Sequence, residues 1–296
     1  MSRLDMIAGT AEDMVHIPGG RFMMGSSRFY PEEQPVRSAE VSEFLIDRYP
    51  VTNAQFAVFV TATRYVTLAE GPRPLPSGKT IVPSSAVFTQ PLPGAIVRGP
   101  ESWWKLVPGA CWKSPAGPDS SIVGLEDHPV VHIAFEDALA YAEWVGKSLP
   151  SEQEWEFAAR GGLEGREFAW GDELTLDGKH KANTWQGRFP FVNTFEDGFA
   201  RTSPVDRFPA NGYGVHDMIG NVWEWTTDEY AAPRTQQAKS CCRKSRSSLQ
   251  QVKVIKGGSY LCAPNYCQRY RPAARHSQEV DLTTGHIGFR CIIRLP

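Results

Sequence analysis

Ser151-Glu152-Gln153-Glu154-Trp155-Glu156-Phe157-Ala158-Ala159-Arg160-Gly161-Gly162 carries the start and stop signals of a short helix. Ser151 and Glu154 form a capping box at its beginning, and the glycine pair ends it. Two more segments read the same way. Thr52 is a candidate N-cap for a helix with Phe56, Phe59 and Val60 on one face. Phe135, Ala138, Leu139, Ala142 and Val145 recur at the three-and-four spacing of an amphipathic helix. Elsewhere the pattern favours short strands, near residues 14–17, 21–24, 41–46, 252–256 and 288–292. With 26 glycines and 23 prolines scattered along 296 residues, long elements have little room. Residues 71–100 alone hold seven prolines and four glycines, which predicts a surface excursion. A second irregular stretch, 231–251, contains the vicinal pair Cys241-Cys242. No repeat or linker divides the apolar pattern. The expectation is one α+β domain over residues 14–296, poor in regular secondary structure, behind a short extension at 1–13.

Composition narrows the function. Apolar residues make up 41% and aromatic residues 11%, enough for a sizeable core, and the nine tryptophans can fill one that lacks long elements. The net charge of −2 gives no footprint for nucleic acid. Charge is uneven, however: from Lys239 onward eleven basic residues face only Glu279 and Asp281, so this tail is +9 and the remainder −11. Its arginines alternate with Tyr, Cys and Ala instead of forming a solvated run, so the two parts are expected to pack together and neutralise one another. No apolar run of 18 residues exists to span a membrane. The opening MSRLDMIAGTAEDMVHIPGG lacks the apolar core of a secretory signal. Six cysteines are too few for a disulfide scaffold. A cytoplasmic protein without membrane or nucleic-acid partners is expected.

The chemistry concentrates in Gly257-Gly258-Ser259-Tyr260-Leu261-Cys262-Ala263-Pro264-Asn265-Tyr266-Cys267-Gln268-Arg269-Tyr270-Arg271. On a continuous helix, positions five apart point about 140° away from each other, so a helix would splay Cys262 and Cys267. A turn through Pro264 could bring the sulfurs together. Converging thiols permit a disulfide, a redox pair or a soft-metal site. Zinc would have to recruit His276 and His286, whose spacing is too wide for a finger-like site. Two thiolates alone suit copper(I), and Arg269 and Arg271 could favour the thiolate form. Inert structural thiols remain open on spacing alone. Cys111 and Cys291 read as small core residues.

Five further motifs carry a family resemblance. They are Ile17-Pro18-Gly19-Gly20-Arg21-Phe22-Met23-Met24-Gly25, Val51-Thr52-Asn53-Ala54-Gln55-Phe56, Leu149-Pro150-Ser151-Glu152-Gln153-Glu154-Trp155-Glu156, Gly212-Tyr213-Gly214-Val215-His216-Asp217-Met218-Ile219-Gly220-Asn221-Val222-Trp223-Glu224-Trp225 and Gly285-His286-Ile287-Gly288-Phe289-Arg290-Cys291. In this order, over residues 14 to 293, the chain resembles the formylglycine-generating enzyme superfamily. The cysteine pair resembles its aerobic, sulfatase-maturing branch. The resemblance implies a single mixed domain related to C-type-lectin-like folds. It also implies a copper-dependent oxidase that converts a cysteine of an unfolded sulfatase, within Cys-x-Pro-x-Arg, to Cα-formylglycine. Dioxygen, a thiol reductant and a monomeric enzyme belong to that expectation.

Site residues follow from the same resemblance. Cys262 and Cys267 would hold copper(I), with the substrate thiolate as a third ligand, and a thioaldehyde would be hydrolysed to the product. Ser259, Tyr266 and Trp223 match residues of the family's pocket, and His286 falls where animal members carry asparagine. One calcium site maps to Asn183, Thr184, Asp197 and Phe199, a second to Asp217, Gly220, Val222 and Glu224. Thr184, Phe199, Gly220 and Val222 would use main-chain oxygens, a donor set that suits calcium. Animal members tie the residue matching Cys291 to a cysteine where this chain has Ala159, so that bridge cannot form, consistent with a reducing compartment. Two other readings compete. A nonheme-iron sulfoxide synthase shares the fold but calls for a histidine-rich helical partner domain that these residues do not contain. A non-catalytic lectin-like relative would be expected to lack the cysteine pair.

Overall fold

The computed structural model describes residues 13–74, 80–92, 94–231 and 251–296. Among them are three α-helices: α1 (Asn53–Thr63), α2 (Phe135–Trp144) and α3 (Glu152–Arg160). Local chemistry sets their ends. Gln55 N–H donates to Thr52 Oγ1 at 3.3 Å and Thr52 N–H donates to Gln55 Oε1 at 2.9 Å, a reciprocal cap on α1. At α3, Glu154 N–H donates to Ser151 Oγ at 3.2 Å and Ser151 N–H to Glu154 Oε2 at 2.7 Å. Gly161 closes α3 in the left-handed conformation, where a Cβ would lie 2.8 Å from the Gly212 nitrogen. α2 is capped by Asp137, which accepts the Ala134 N–H at 2.9 Å. Ala138, Tyr141 and Ala142 are buried on α2, but Leu139, expected on the same face, is exposed.

Short strands supply the rest. One sheet joins Met14–Ile17, Phe44–Asp47 and Ile292–Arg294, so both ends of the described chain share it. A four-stranded sheet runs in the order Arg275–Glu279, Val252–Lys256, Trp223–Glu229, Ile287–Gly288, with the last pairing parallel. Gly20–Met24 pairs with Arg37–Val41, and Ser84–Phe88 with Trp104–Pro108. Three expectations need correction. The strand expected over 41–46 is two strands in different sheets, broken at Ser42-Glu43. The strand expected over 288–292 also splits, because residues 289–291 pass between two sheets. Residues 71–100 are not only an excursion: Ser84–Phe88 lies within them, and Ser84, Ser85 and Val87 are buried.

The apolar interior has three parts. Phe56, Phe59, Tyr141, Trp225 and Phe289 centre the first; Ile17, Phe44, Trp155 and Met218 centre the second. A third, with Trp103, Trp185, Phe189 and Leu261, lies beside the cysteine segment. Six cations of the basic tail are paired with carboxylates among the described residues, and Lys239, Arg243, Lys244 and Arg246 lie outside them. Lys256 pairs with Glu156, Arg269 with Glu32, Arg271 with Glu33, Arg275 with Glu152, Arg290 with Glu224 and Arg294 with Glu154. Cys241-Cys242 and most of the 1–13 extension lie outside the described residues. Among the described residues no helix is long and apolar enough to cross a membrane.

Candidate active site

Two glycines make the cysteine segment possible. Gly257 and Gly258 both have positive φ, 93° and 74°, and a Cβ on Gly258 would sit 3.0 Å from the Tyr270 backbone. The chain can therefore fold back on itself at this point. Cys262 N–H donates to the Ser259 carbonyl at 2.9 Å. Tyr266 and Cys267 N–H both donate to the Ala263 carbonyl, at 3.1 and 2.9 Å. This turn places the two sulfurs 3.2 Å apart as free thiols.

The thiols differ in surroundings. Cys262 is 2% exposed while Cys267 is only partly buried. Burial, reinforced by the neighbouring sulfur, pushes the Cys262 thiol far up. Cys267 is drawn down, first by the hydrogen bond from Cys262 and then, against the cost of burial, by the N–H groups and charge of Arg269. The outer thiol is thus the more acidic of the two.

Both sulfurs open onto a cavity of about 610 Å³. Ser259, Tyr266, Trp223 and His286 line the same cavity, so the structure gathers every candidate of the copper pocket. Ser259 is fully buried. Trp223 is fixed by its strand, donating its N–H to the His286 carbonyl at 2.9 Å. Tyr266 is half-exposed, stacked on Phe189 at 4.4 Å and edge-on to Trp103 at 5.5 Å. The His286 ring lies 4.7 Å from Trp104, with Nδ1 2.6 Å from the Thr284 hydroxyl. Burial lowers its pKa to about 3, so the imidazole is neutral. Trp103, Trp104 and Phe189 are walls that the sequence did not single out. The only available signal was tryptophans beside a proline-rich stretch. Glu32, which anchors Arg269, was likewise unseen, being 237 positions away.

Two thiols this close fit a single soft ion of low coordination number. No three His, Cys, Asp or Glu side chains converge on a metal-sized point among the described residues, so four-ligand zinc geometry is not built there.

Parts of the two expected oxygen-donor sets have neighbours in common. Thr184 meets Asp197, whose Oδ2 accepts the Thr184 N–H at 3.0 Å and a Gln186 Nε2 hydrogen at 2.8 Å and whose Oδ1 accepts the Phe199 N–H at 2.9 Å; Gln186 Nε2 also donates to the Thr184 carbonyl. Asn183 Oδ1 is buried and has no hydrogen-bond partner, the kind of orphaned oxygen a cation satisfies. In the second set Asp217 Oδ1 is likewise buried and unpartnered, and burial lifts that carboxyl to about 7. Gly220 lies against Asn183, since a Cβ there would meet the Asn183 carbonyl at 2.4 Å, and Val222 is buried. Glu224 fits a cation less well. Its oxygens accept both Arg290 Nε–H and an Arg290 NH2 hydrogen at 2.8 Å, and the Trp155 indole N–H at 2.7 Å.

Comparison with known proteins agrees with these motifs. Residues 5–295 match the sulfatase-modifying factor enzyme 1-like domain. A formylglycine-generating enzyme of Mycobacterium tuberculosis is 50% identical over 291 residues, covering 95% of this chain and 97% of that protein. One from Thermomonospora curvata is 48% identical over 289 residues, covering 95% and 93%. The solved structure of PvdO from Pseudomonas aeruginosa superimposes with a TM-score of 0.63 over 95% of this chain and 94% of that one, at 24% identity. That last likeness is one of fold.

Proposed function

Because the chain belongs to the formylglycine-generating enzyme family, we propose that it oxidises a sulfatase cysteine, within a Cys-x-Pro-x-Arg motif, to Cα-formylglycine. Dioxygen is the oxidant. The substrate CH2–SH becomes an aldehyde and sulfide, one oxygen atom leaves as water, and a thiol reductant supplies two electrons and two protons. The observation that carries the reading is the free thiol pair, 3.2 Å apart, opening onto the cavity.

Copper(I) bound to Cys262 and Cys267 would supply the activation of dioxygen, which thiols alone do not perform. The chain's own groups prepare that site. The hydrogen bond from Cys262, and then Arg269, favour the thiolate of Cys267, and Cys262 would give up its proton to serve as the second ligand. Trp103, Trp104 and Phe189 give the cavity an apolar wall for the substrate peptide. Ser259 Oγ and the Tyr266 hydroxyl are hydrogen-bonding groups on the same cavity, available to orient oxygen and peptide. His286, neutral, contributes no charge to compete with a cation.

Calcium is part of the proposal, held by Asn183, Thr184, Asp197 and Phe199 and by Asp217, Gly220 and Val222. Glu224 is the weakest member, being committed to Arg290. A cytoplasmic enzyme accords with four free cysteines among the described residues, and a monomer is part of the proposal.

The test is direct. Copper-reconstituted protein under oxygen should convert a Cys-x-Pro-x-Arg peptide to the aldehyde, read by mass. Cys262→Ala and Cys267→Ala should each abolish conversion, while Cys111→Ala, remote from the cavity lining, should not. Full turnover by both active-pair variants would end the proposal.

A further inference from the structure

Ser84–Phe88 runs between two neighbouring segments. Trp104–Pro108 pairs with one edge, setting Ala86 opposite Leu106 and Phe88 opposite Trp104. Along the other edge Ala86 bridges to Thr284: its N–H donates to the Thr283 carbonyl at 3.0 Å, and its carbonyl accepts the Gly285 N–H at 3.0 Å. Directly opposed residues, and residues two apart in one strand, share a face. Ala86, Trp104, Leu282, Thr284 and His286 all line the cavity that holds the thiol pair, so this face is turned towards it. Leu106 belongs to the same face and is 55% exposed, and Leu282 is 37% exposed. Two leucines with water-exposed side chains therefore flank an alanine at the rim of the cavity. The backbone that carries Leu282 is fixed from two directions. Its N–H donates to the Glu279 carbonyl and its carbonyl accepts a Gln278 Nε2 hydrogen, both at 3.2 Å. Arg73 ties the preceding Asp281 carbonyl, at 2.7 Å, to the Ser84 carbonyl, at 3.4 Å.

A short side chain between two long ones makes a notch with an apolar floor and apolar flanks. Its surroundings exclude a charged occupant. Among the described residues the cavity lining holds no carboxylate, and its one cation, Arg269, is engaged by Glu32. We propose that Leu106, Ala86 and Leu282 form a specificity subsite for one apolar side chain, leucine or valine in size, of the substrate polypeptide close to its reacting cysteine. The inference rests on the function proposed above and deepens it. A peptide that brings its cysteine to the two sulfurs enters the cavity that this rim borders. An apolar side chain dropped between the leucines leaves water, and so do the leucines' own exposed faces. The floor is a single residue wide, so the notch selects at one position of the peptide and is indifferent at the others.

The experiment gives the copper-reconstituted full chain a set of peptides built on Cys-x-Pro-x-Arg. A single leucine is moved, one position at a time, through the variable and flanking positions, all the others being serine. At one position leucine should lower KM by about 5-fold against the all-serine peptide, with kcat unchanged, because the contact is made equally before and during the reaction. Glutamate or lysine at that position should bring no such gain. Leu106→Ser, at an exposed site that the core does not use, should cut the leucine preference to less than about 2-fold. Ala86→Leu, which fills the notch, should do the same. Conversion of every peptide with the same KM overturns the subsite and leaves the proposed function standing. Failure to convert any peptide overturns both. A leucine preference undiminished in Leu106→Ser lies elsewhere in the cavity and overturns the assignment. If Ala86→Leu fails to fold, the wild-type peptide series and Leu106→Ser decide the matter.

Discussion

Arg269 hydrogen-bonds Glu32 through Nε at 3.1 Å, across 237 positions of sequence, and lies over the Tyr30 ring at 3.9 Å. The cation beside Cys267 is thus held from two sides. Burial alone would weaken its charge, but the Glu32 bond and the Cys267 sulfur more than compensate, so it remains protonated. This fixed guanidinium adds to the hydrogen bond from Cys262 in drawing Cys267 down, while deeper burial pushes Cys262 up.

Arg269→Gln should therefore raise the Cys267 thiol pKa by about one to two units. The pH dependence of alkylation, followed by peptide mass mapping, reports the midpoint. The variant's midpoint should move upward, and an unmoved one would mean that Cys262 alone sets the acidity.

Glu33 and Arg271 form the neighbouring pair, joined at 2.9 Å through one nitrogen and 2.5 Å through the other, with Arg271 1% exposed. The guanidinium carbon lies 3.6 Å from the Phe29 ring centroid. Glu33→Ala strands a buried charge and should cost about 3–5 kcal/mol. Urea unfolding measures it. A loss below about 1 kcal/mol would show that water or a shifted neighbour replaces the carboxylate.

His132 gives the fold an acid limit. It is fully buried, with Nδ1 2.7 Å from the Ser85 hydroxyl and Nε2 2.9 Å from the Pro115 carbonyl, and burial lowers its pKa from 6.5 to about 4. A basic group with a depressed folded pKa contributes its stability above the unfolded value and loses it as pH falls toward the folded one. From pH 7 to 4.5 this histidine should cost about 2–3 kcal/mol. His132→Gln, which does not titrate, should lose that much less over the same interval in urea unfolding. An equal pH slope in the two proteins would assign the acid sensitivity elsewhere.

Features with local causes were legible in the sequence. The N-cap at Thr52, the capping box at Ser151 and the stop at Gly161 are decided within a few residues, and the structure has them. The turn that joins Cys262 to Cys267 is likewise contained in eleven residues beginning at Gly257. What depends on distant partners was not legible. Ser84–Phe88 forms because Trp104–Pro108 pairs with it and because Ala86 exchanges hydrogen bonds with Thr283 and Gly285, two hundred positions onward. That pairing turns a proline-rich stretch into a wall of the cavity. Leu139 misled for a similar reason, since helical spacing says which residues share a face but not how wide the buried stripe is. The clamp made by Phe29, Tyr30, Glu32 and Glu33 has no local signature, because it exists only against Arg269 and Arg271.

That clamp also orders events during synthesis. Residues 29–33 leave the ribosome early and their arginine partners more than two hundred codons later, while Ile292–Arg294 must arrive before the sheet containing Met14–Ile17 is complete. A nascent chain consequently carries no finished cleft until translation is nearly over, and a message broken before the Arg269 codon yields a product without the chemistry, however well its first two hundred residues collapse.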